Sequence, residues 1–88
     1  MGVYNKNGIF NKRPFYINDN NHAYLFYSKR GAWKIGDKLG GFGSIKTTET
    51  GLNEIPLGAG NWEYYNWEAW TSDPNITVSK HGRYKIIL

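Results

Sequence analysis

The chain has 88 residues, a net charge of +4 and a pI near 9.4, a length that admits one domain, residues 1–88, and no more. It has no cysteine, which excludes disulfides and thiolate metal sites. No apolar run approaches the ~20 residues that span a bilayer. The core must therefore draw on four Trp, seven Tyr and four Phe, rings that bury about 150–250 Å² each. The first six residues, Met1 to Lys6, lack a signal peptide's apolar stretch, and Lys6 stands where a myristoylation motif needs Ser or Thr. A cytoplasmic protein is the expectation; a secreted fragment lacking its signal has the same features.

In chain order, residues 2–5 are a short strand and Asn7-Gly8 is a hairpin turn, because both residues tolerate positive φ. Residues 13–17 form the next strand, with Pro14 at its start or on an edge. Residues 18–21 are a polar turn. Residues 22–28 are the strongest strand: Tyr24-Leu25-Phe26-Tyr27 is apolar on both faces, as in a strand covered from two sides. Residues 32–36 follow, with Trp33 and Ile35 on one face and Lys34 on the other.

Gly40-Gly41-Phe42-Gly43 is a tight β turn; it lacks the Lys-Ser/Thr of a phosphate-binding loop, and no helix follows it. Residues 44–48 are a strand and 49–61 an irregular stretch. Residues 61–65 and 68–71 make a second hairpin around Asn66-Trp67. Asp73-Pro74 marks a turn. Residues 76–79 and 83–88 are the last strands, split by His81-Gly82. No segment has a helical period with caps. The fold class is all-β: a small antiparallel sandwich or barrel of about eight short strands.

One internal echo links two hairpins. Tyr24, Tyr27, Ala32 and Trp33 recur as Trp62, Tyr65, Ala69 and Trp70. Either the hairpins occupy equivalent places in a pseudo-symmetric sheet, or aromatic-rich hairpins simply look alike.

The catalytic inventory is sparse. His22 and His81 are far apart, and seven carboxylates are scattered. Glu63 and Glu68 flank the second hairpin and are conceivable as a glycosidase-like pair. A chain this short offers little depth for a cleft, so solvated strand charge is the reading and no enzyme is expected. No ligand spacing supports a metal, and no cofactor is implied. Trp33, Trp62 and Trp70 lie within strands and are expected in the core, each indole N–H with a polar partner. Trp67 differs, because it sits at a hairpin tip. With Tyr64, Tyr65, Phe42 and Glu68 it forms the candidate ligand platform.

The order of motifs resembles a Tyr/Trp-rich β module of marine invertebrates, protists and some bacteria. The residues that carry it are Gly2-Val3-Tyr4, Asn11-Lys12-Arg13-Pro14-Phe15-Tyr16, Tyr24-Leu25-Phe26-Tyr27 and Trp33-Lys34-Ile35-Gly36-Asp37, then Leu39-Gly40, Trp62, Trp70, Asp73-Pro74 and Val78. They cover residues 2–78. The resemblance implies an independently folding module, usually embedded in larger proteins, and implies no activity. The tail, residues 81–88, has no counterpart in it. Its alternation of Tyr84, Ile86 and Leu88 either closes the sheet or pairs with a second copy.

The expected function is a noncatalytic binding module for a carbohydrate or a protein surface, with homo-oligomerisation as a further option. A small nucleic-acid-binding β-barrel is the alternative, since basic residues at Lys12-Arg13, Lys29-Arg30 and Lys80 to Lys85 interleave with aromatics. An assembly subunit joined through its C-terminal strand is the third reading.

Overall fold

The computed structural model describes residues 2–87. Its strands are β1 Gly2–Phe10, β2 Arg13–Asn18, β3 Tyr24–Tyr27, β4 Trp33–Gly36, β5 Ile45–Thr47, β6 Gly58–Ala59, β7 Trp62–Tyr65, β8 Trp70–Ser72, β9 Thr77–His81 and β10 Arg83–Ile87. All pair antiparallel in one sheet of order β6-β9-β10-β1-β2-β3-β4-β5-β7-β8. The all-β class holds. The described strands number ten rather than about eight, and two-residue β6 lies inside the stretch read as irregular. None of the described residues forms a helix long and apolar enough to cross a membrane.

The sheet curls into a half-barrel rather than splitting into a sandwich. Val78 and Ile86 near one end and Trp62 near the other share one core with Tyr4, Leu25, Trp33, Ile35, Ile76 and Tyr84. Alternation decides which residues enter this concave face: directly paired residues point the same way, and their neighbours point outward. Tyr4 pairs with Tyr84, Leu25 with Ile35, and Thr47 with Trp62. Leu25 and Phe26 are adjacent and both fully buried, so β3 is covered on two sides as the sequence indicated. On the convex side Phe26 meets Phe10 edge-on at 5.7 Å.

The first turn lies elsewhere than expected. Asn7-Gly8 is not a hairpin turn; β1 runs straight through it, with a register shift between Lys6 and Gly8. An extra residue there bends the strand and increases its twist, which helps the sheet curl. The turn comes at Asn11 and Lys12, with φ of 50° and 68°, the pair of positive values a two-residue type I′ hairpin needs. The Asn11 side-chain amide donates to the Ser28 carbonyl at 2.9 Å, so a tertiary contact supports the less probable dipeptide.

The 49–57 stretch is a lid on the core. Ile55, within it, is buried in the core cluster. The Trp33 indole donates to the Leu52 carbonyl at 3.2 Å, and the Arg13 guanidinium donates to Asn53 Oδ1 at 3.1 Å while lying 3.9 Å over the Tyr27 ring. Trp62, 1 % exposed, departs from expectation: its indole N–H has no hydrogen-bond partner. β10 is bonded to β1 on one side and β9 on the other. Residues 83–87 therefore close the sheet from within, and β6 and β8 are its edges; Leu88 lies outside the described residues.

Burial raises the Tyr4 phenol above its ordinary value of 10.0, partly offset by a hydrogen bond with Asn18. Burial also raises Tyr16, with Tyr84 and Glu54 adding to the effect. The folded state thus holds both protons to higher pH than the unfolded chain. Their contribution is complete below about pH 10 and is lost as pH rises through the folded values. Melting temperature is expected to fall above about pH 10, and Tyr16→Phe should flatten that fall. An unchanged profile in the variant would contradict this assignment.

Candidate functional site

The convex face of β4, β5, β7 and β8 carries a row of directly opposed residues. Lys34 faces Lys46, Lys46 faces Glu63, and Glu63 faces Ser72. One pair further along, Tyr65 faces Trp70. Long and aromatic side chains at such spacing touch across strands. Tyr65 and Trp70 have centroids 5.4 Å apart, and Phe42, from the β4–β5 loop, lies 5.2 Å from Tyr65 and 5.4 Å from Trp70. Phe42 and Trp70 are inclined by 32°, a tilted contact between overlapping rings. Trp67 meets Tyr65 at 6.0 Å.

Cations frame these rings. Lys46 Nζ lies 4.7 Å from the Trp70 centroid and 3.4 Å from Glu63 Oε1. Lys34 Nζ lies 5.3 Å from the Phe42 centroid. Burial lowers the Lys34 ammonium below its ordinary value, and the nearby charges of Lys46 and Arg30 lower it further. Beside the patch, a hollow of about 590 Å³ runs between the 36–44 segment and Trp67, with Asp37, Lys38 and Ser44 on its wall. A comparable hollow of about 580 Å³ includes Tyr4, Ile35 and Ile86 of the concave core, with Asn21 and His22 also on its wall.

The turn that presents Trp67 is built by Asn66. Its Oδ1 accepts from the N–H groups of Glu68 at 2.9 Å and Ala69 at 2.8 Å, and its Nδ2 donates to Thr71 Oγ1 at 3.1 Å. Trp67 follows with φ of 76°, a region disfavoured for any side chain with a Cβ and uncommon for bulky ones. It is 88 % exposed.

Comparison with protein-family models, curated proteins and solved structures finds no match to this chain. The site therefore stands on its own geometry. Of the residues expected at the platform, Trp67, Tyr65 and Phe42 come together. Glu68 is exposed beside Trp67 in the same turn. Tyr64 does not join them: it pairs with Ile45 and Thr71 and so points to the opposite face from Tyr65. Trp70 was expected in the core; it is half-buried and belongs to the patch. Glu63 does not face Glu68 as a catalytic pair would; it faces Ser72 and bonds Lys46. Among the described residues no three of His, Asp and Glu gather where a metal would bind.

The sequence reading missed Lys34, Lys46 and Trp70. Alternation from the inward Trp62 puts Glu63 and Tyr65 outward, and the Asn66 turn then puts Trp70 opposite Tyr65; that much was available. The adjacency of Lys46 and Glu63 was not, because β5 pairs with β7 across the intervening β6.

Gly36 fixes the loop that carries Phe42. A Cβ at Gly36 would lie 2.8 Å from the Gly43 Cα, a backbone atom that cannot swing away. Gly36→Ala is expected to cost about 1–3 kcal/mol, the range for overpacking, and to displace Phe42. Thermal melting checks the first effect. A variant melting like wild type would show that the loop is not packed this way.

Proposed function

We propose that this domain is a noncatalytic binding module that holds a carbohydrate on the convex patch around Trp67. The observation that carries the proposal is the pairing, at Trp67, of 88 % exposure with a φ of 76°. Exposure forfeits the hydrophobic gain of a large ring, and the left-handed backbone adds about 1–2 kcal/mol of strain. Neither benefits the fold, so the use of the residue lies in contact with something else.

A sugar ring fits the chemistry of the patch. Its C–H face is apolar and can lie against the exposed rings of Phe42 and Trp67, and its hydroxyls need the donors and acceptors that Lys34, Lys46 and Glu63 supply around the rings. The test is a glycan array probed with the wild-type domain and with Trp67→Gly. Retention of a set of glycans by wild type and its loss in the variant is expected. Retention of none by wild type would overturn the carbohydrate reading.

A further inference from the structure

A third hollow, of about 230 Å³, opens on the convex face next to the aromatic patch. Its lining is Phe10, Ser28, Lys29, Arg30, Lys34 and the Gly40-Gly41 backbone. Three cations converge there and no carboxylate lines it. The two turns that shape it are fixed locally. The Gly31 N–H donates to the Ser28 carbonyl at 3.0 Å in the β3–β4 turn, and the Gly41 N–H donates to the Lys38 carbonyl at 3.0 Å in the β4–β5 loop.

Lys34 belongs to both places: it lines the hollow and approaches the Phe42 ring. It is half-buried and sits directly opposite a second lysine, Lys46. Like charges directly opposed across strands are destabilising. The carboxylate in the row, Glu63, is engaged with Lys46, and Lys34 has no ion pair among the described residues. The depressed Lys34 ammonium agrees with an electropositive place lacking a counter-charge.

We propose that the glycan held on the patch is anionic, and that its sulfate or carboxylate group sits in the hollow between Lys29, Arg30 and Lys34. The proposal rests on the carbohydrate reading above. A sugar held against the exposed Phe42 and Trp67 rings brings a ring substituent within reach of Lys34, because the Lys34 ammonium lies 5.3 Å from the centre of the Phe42 ring. An anion there supplies the missing counter-charge, and the guanidinium of Arg30 has the fork geometry for two oxygens of a sulfate or carboxylate.

The experiment compares three polymers of one backbone: dextran, carboxymethyl-dextran and dextran sulfate. A single-stranded oligonucleotide of mixed sequence is the fourth arm. Each is titrated into the wild-type domain and into Lys34→Met, Arg30→Ala, Lys85→Ala and Trp67→Gly, with thermal melting of every variant as the folding check. Lys85 lies on β10, away from the hollow, and controls for general charge. Arg30 is exposed in a turn, so its variant keeps the test open if Lys34→Met does not fold.

One or both charged dextrans are expected to bind more tightly than dextran. Lys34→Met and Arg30→Ala should each weaken that binding by about tenfold or more, the size of a lost charge-assisted bond, and Lys85→Ala far less. Which charged dextran binds identifies the anion. Raising salt from about 0.15 M to about 1 M shortens the screening length from about 8 Å to about 3 Å and should weaken the charged arms. Equal binding of neutral and charged dextrans, lost in Trp67→Gly, would overturn the anion proposal and leave the patch standing. Charged binding lost in the Lys34 and Arg30 variants but intact in Trp67→Gly would keep the hollow and remove the patch. Equal losses in Lys85→Ala, tighter binding of the oligonucleotide, or binding of no dextran would each overturn the proposal.

Discussion

Replacing Trp62 by alanine is expected to bring this domain close to unfolding. Large-to-small changes at a buried Trp cost about 3–5 kcal/mol, against a total of roughly 5–10 kcal/mol for a domain of this size. Trp62 is 1 % exposed and packs where the two ends of the curled sheet approach each other. Removing it opens a cavity in the core cluster that β7 shares with Val78 of β9 and with Tyr84 and Ile86 of β10. At about 4–8 °C per kcal/mol, the melting midpoint should fall by tens of degrees. Phenylalanine gives a sharper result. Trp62→Phe removes an indole N–H that has no partner, whereas Trp33→Phe leaves the Leu52 carbonyl without the Trp33 indole N–H it accepts. Losing that part-buried hydrogen bond costs about 0.5–1.5 kcal/mol. Trp62→Phe is therefore expected to be the milder change, although both side chains are almost fully buried. A larger loss for Trp62→Phe than for Trp33→Phe, measured by thermal melting, would contradict the packing described.

The second large effect concerns binding and leaves the fold intact. Trp67→Gly removes the exposed ring and also the strain at φ 76°, because glycine adopts that region without a Cβ clash. Its stability is expected to lie between no change and a gain of about 1 kcal/mol. Trp67→Ala removes the same ring but keeps the strained backbone, so it should be the less stable of the two. Both variants should lose ligand affinity by about 30-fold or more, the loss that follows from 2 kcal/mol at an aromatic hot spot. Separating the two readouts matters. A core residue would move stability with affinity, whereas Trp67 should move affinity alone. Loss of stability in Trp67→Gly would place this ring in the fold's own packing.

The sequence carried the period of β3 and β4 clearly. Tyr24-Leu25-Phe26-Tyr27 is apolar at consecutive positions, so a strand covered on both faces follows from alternation alone. The Asn66-Trp67 tip was equally readable, because a hairpin between two aromatic strands needs a turn residue there. The turn at Asn11 and Lys12 was hidden by a stronger local signal at Asn7-Gly8. That dipeptide became a bulge because Ile9 and Phe10 extend the strand and Phe10 packs on Phe26. Residue type points Trp70 to the core, but its pairing with Tyr65 puts it on the convex face. The echo between the hairpins also points to the core. Tyr27 pairs with Trp33 and Tyr65 with Trp70, but the first pair lies on the concave face and the second on the convex face. The basic hollow was beyond reach, since Arg30, Lys34 and Gly41 meet only once the β4–β5 loop has folded back against Phe10 of β1.

Ligand is expected to land on the convex patch. Indole ¹H–¹⁵N spectra test it directly, because each Trp contributes its own Nε1–H signal. Dextran sulfate and neutral dextran are each titrated into the ¹⁵N-labelled domain. The expected result is a progressive shift of the Trp67 and Trp70 signals with at least one of them, while Trp33 and Trp62, 2 % and 1 % exposed, stay in place. Binding that leaves Trp67 and Trp70 unmoved would contradict the central claim.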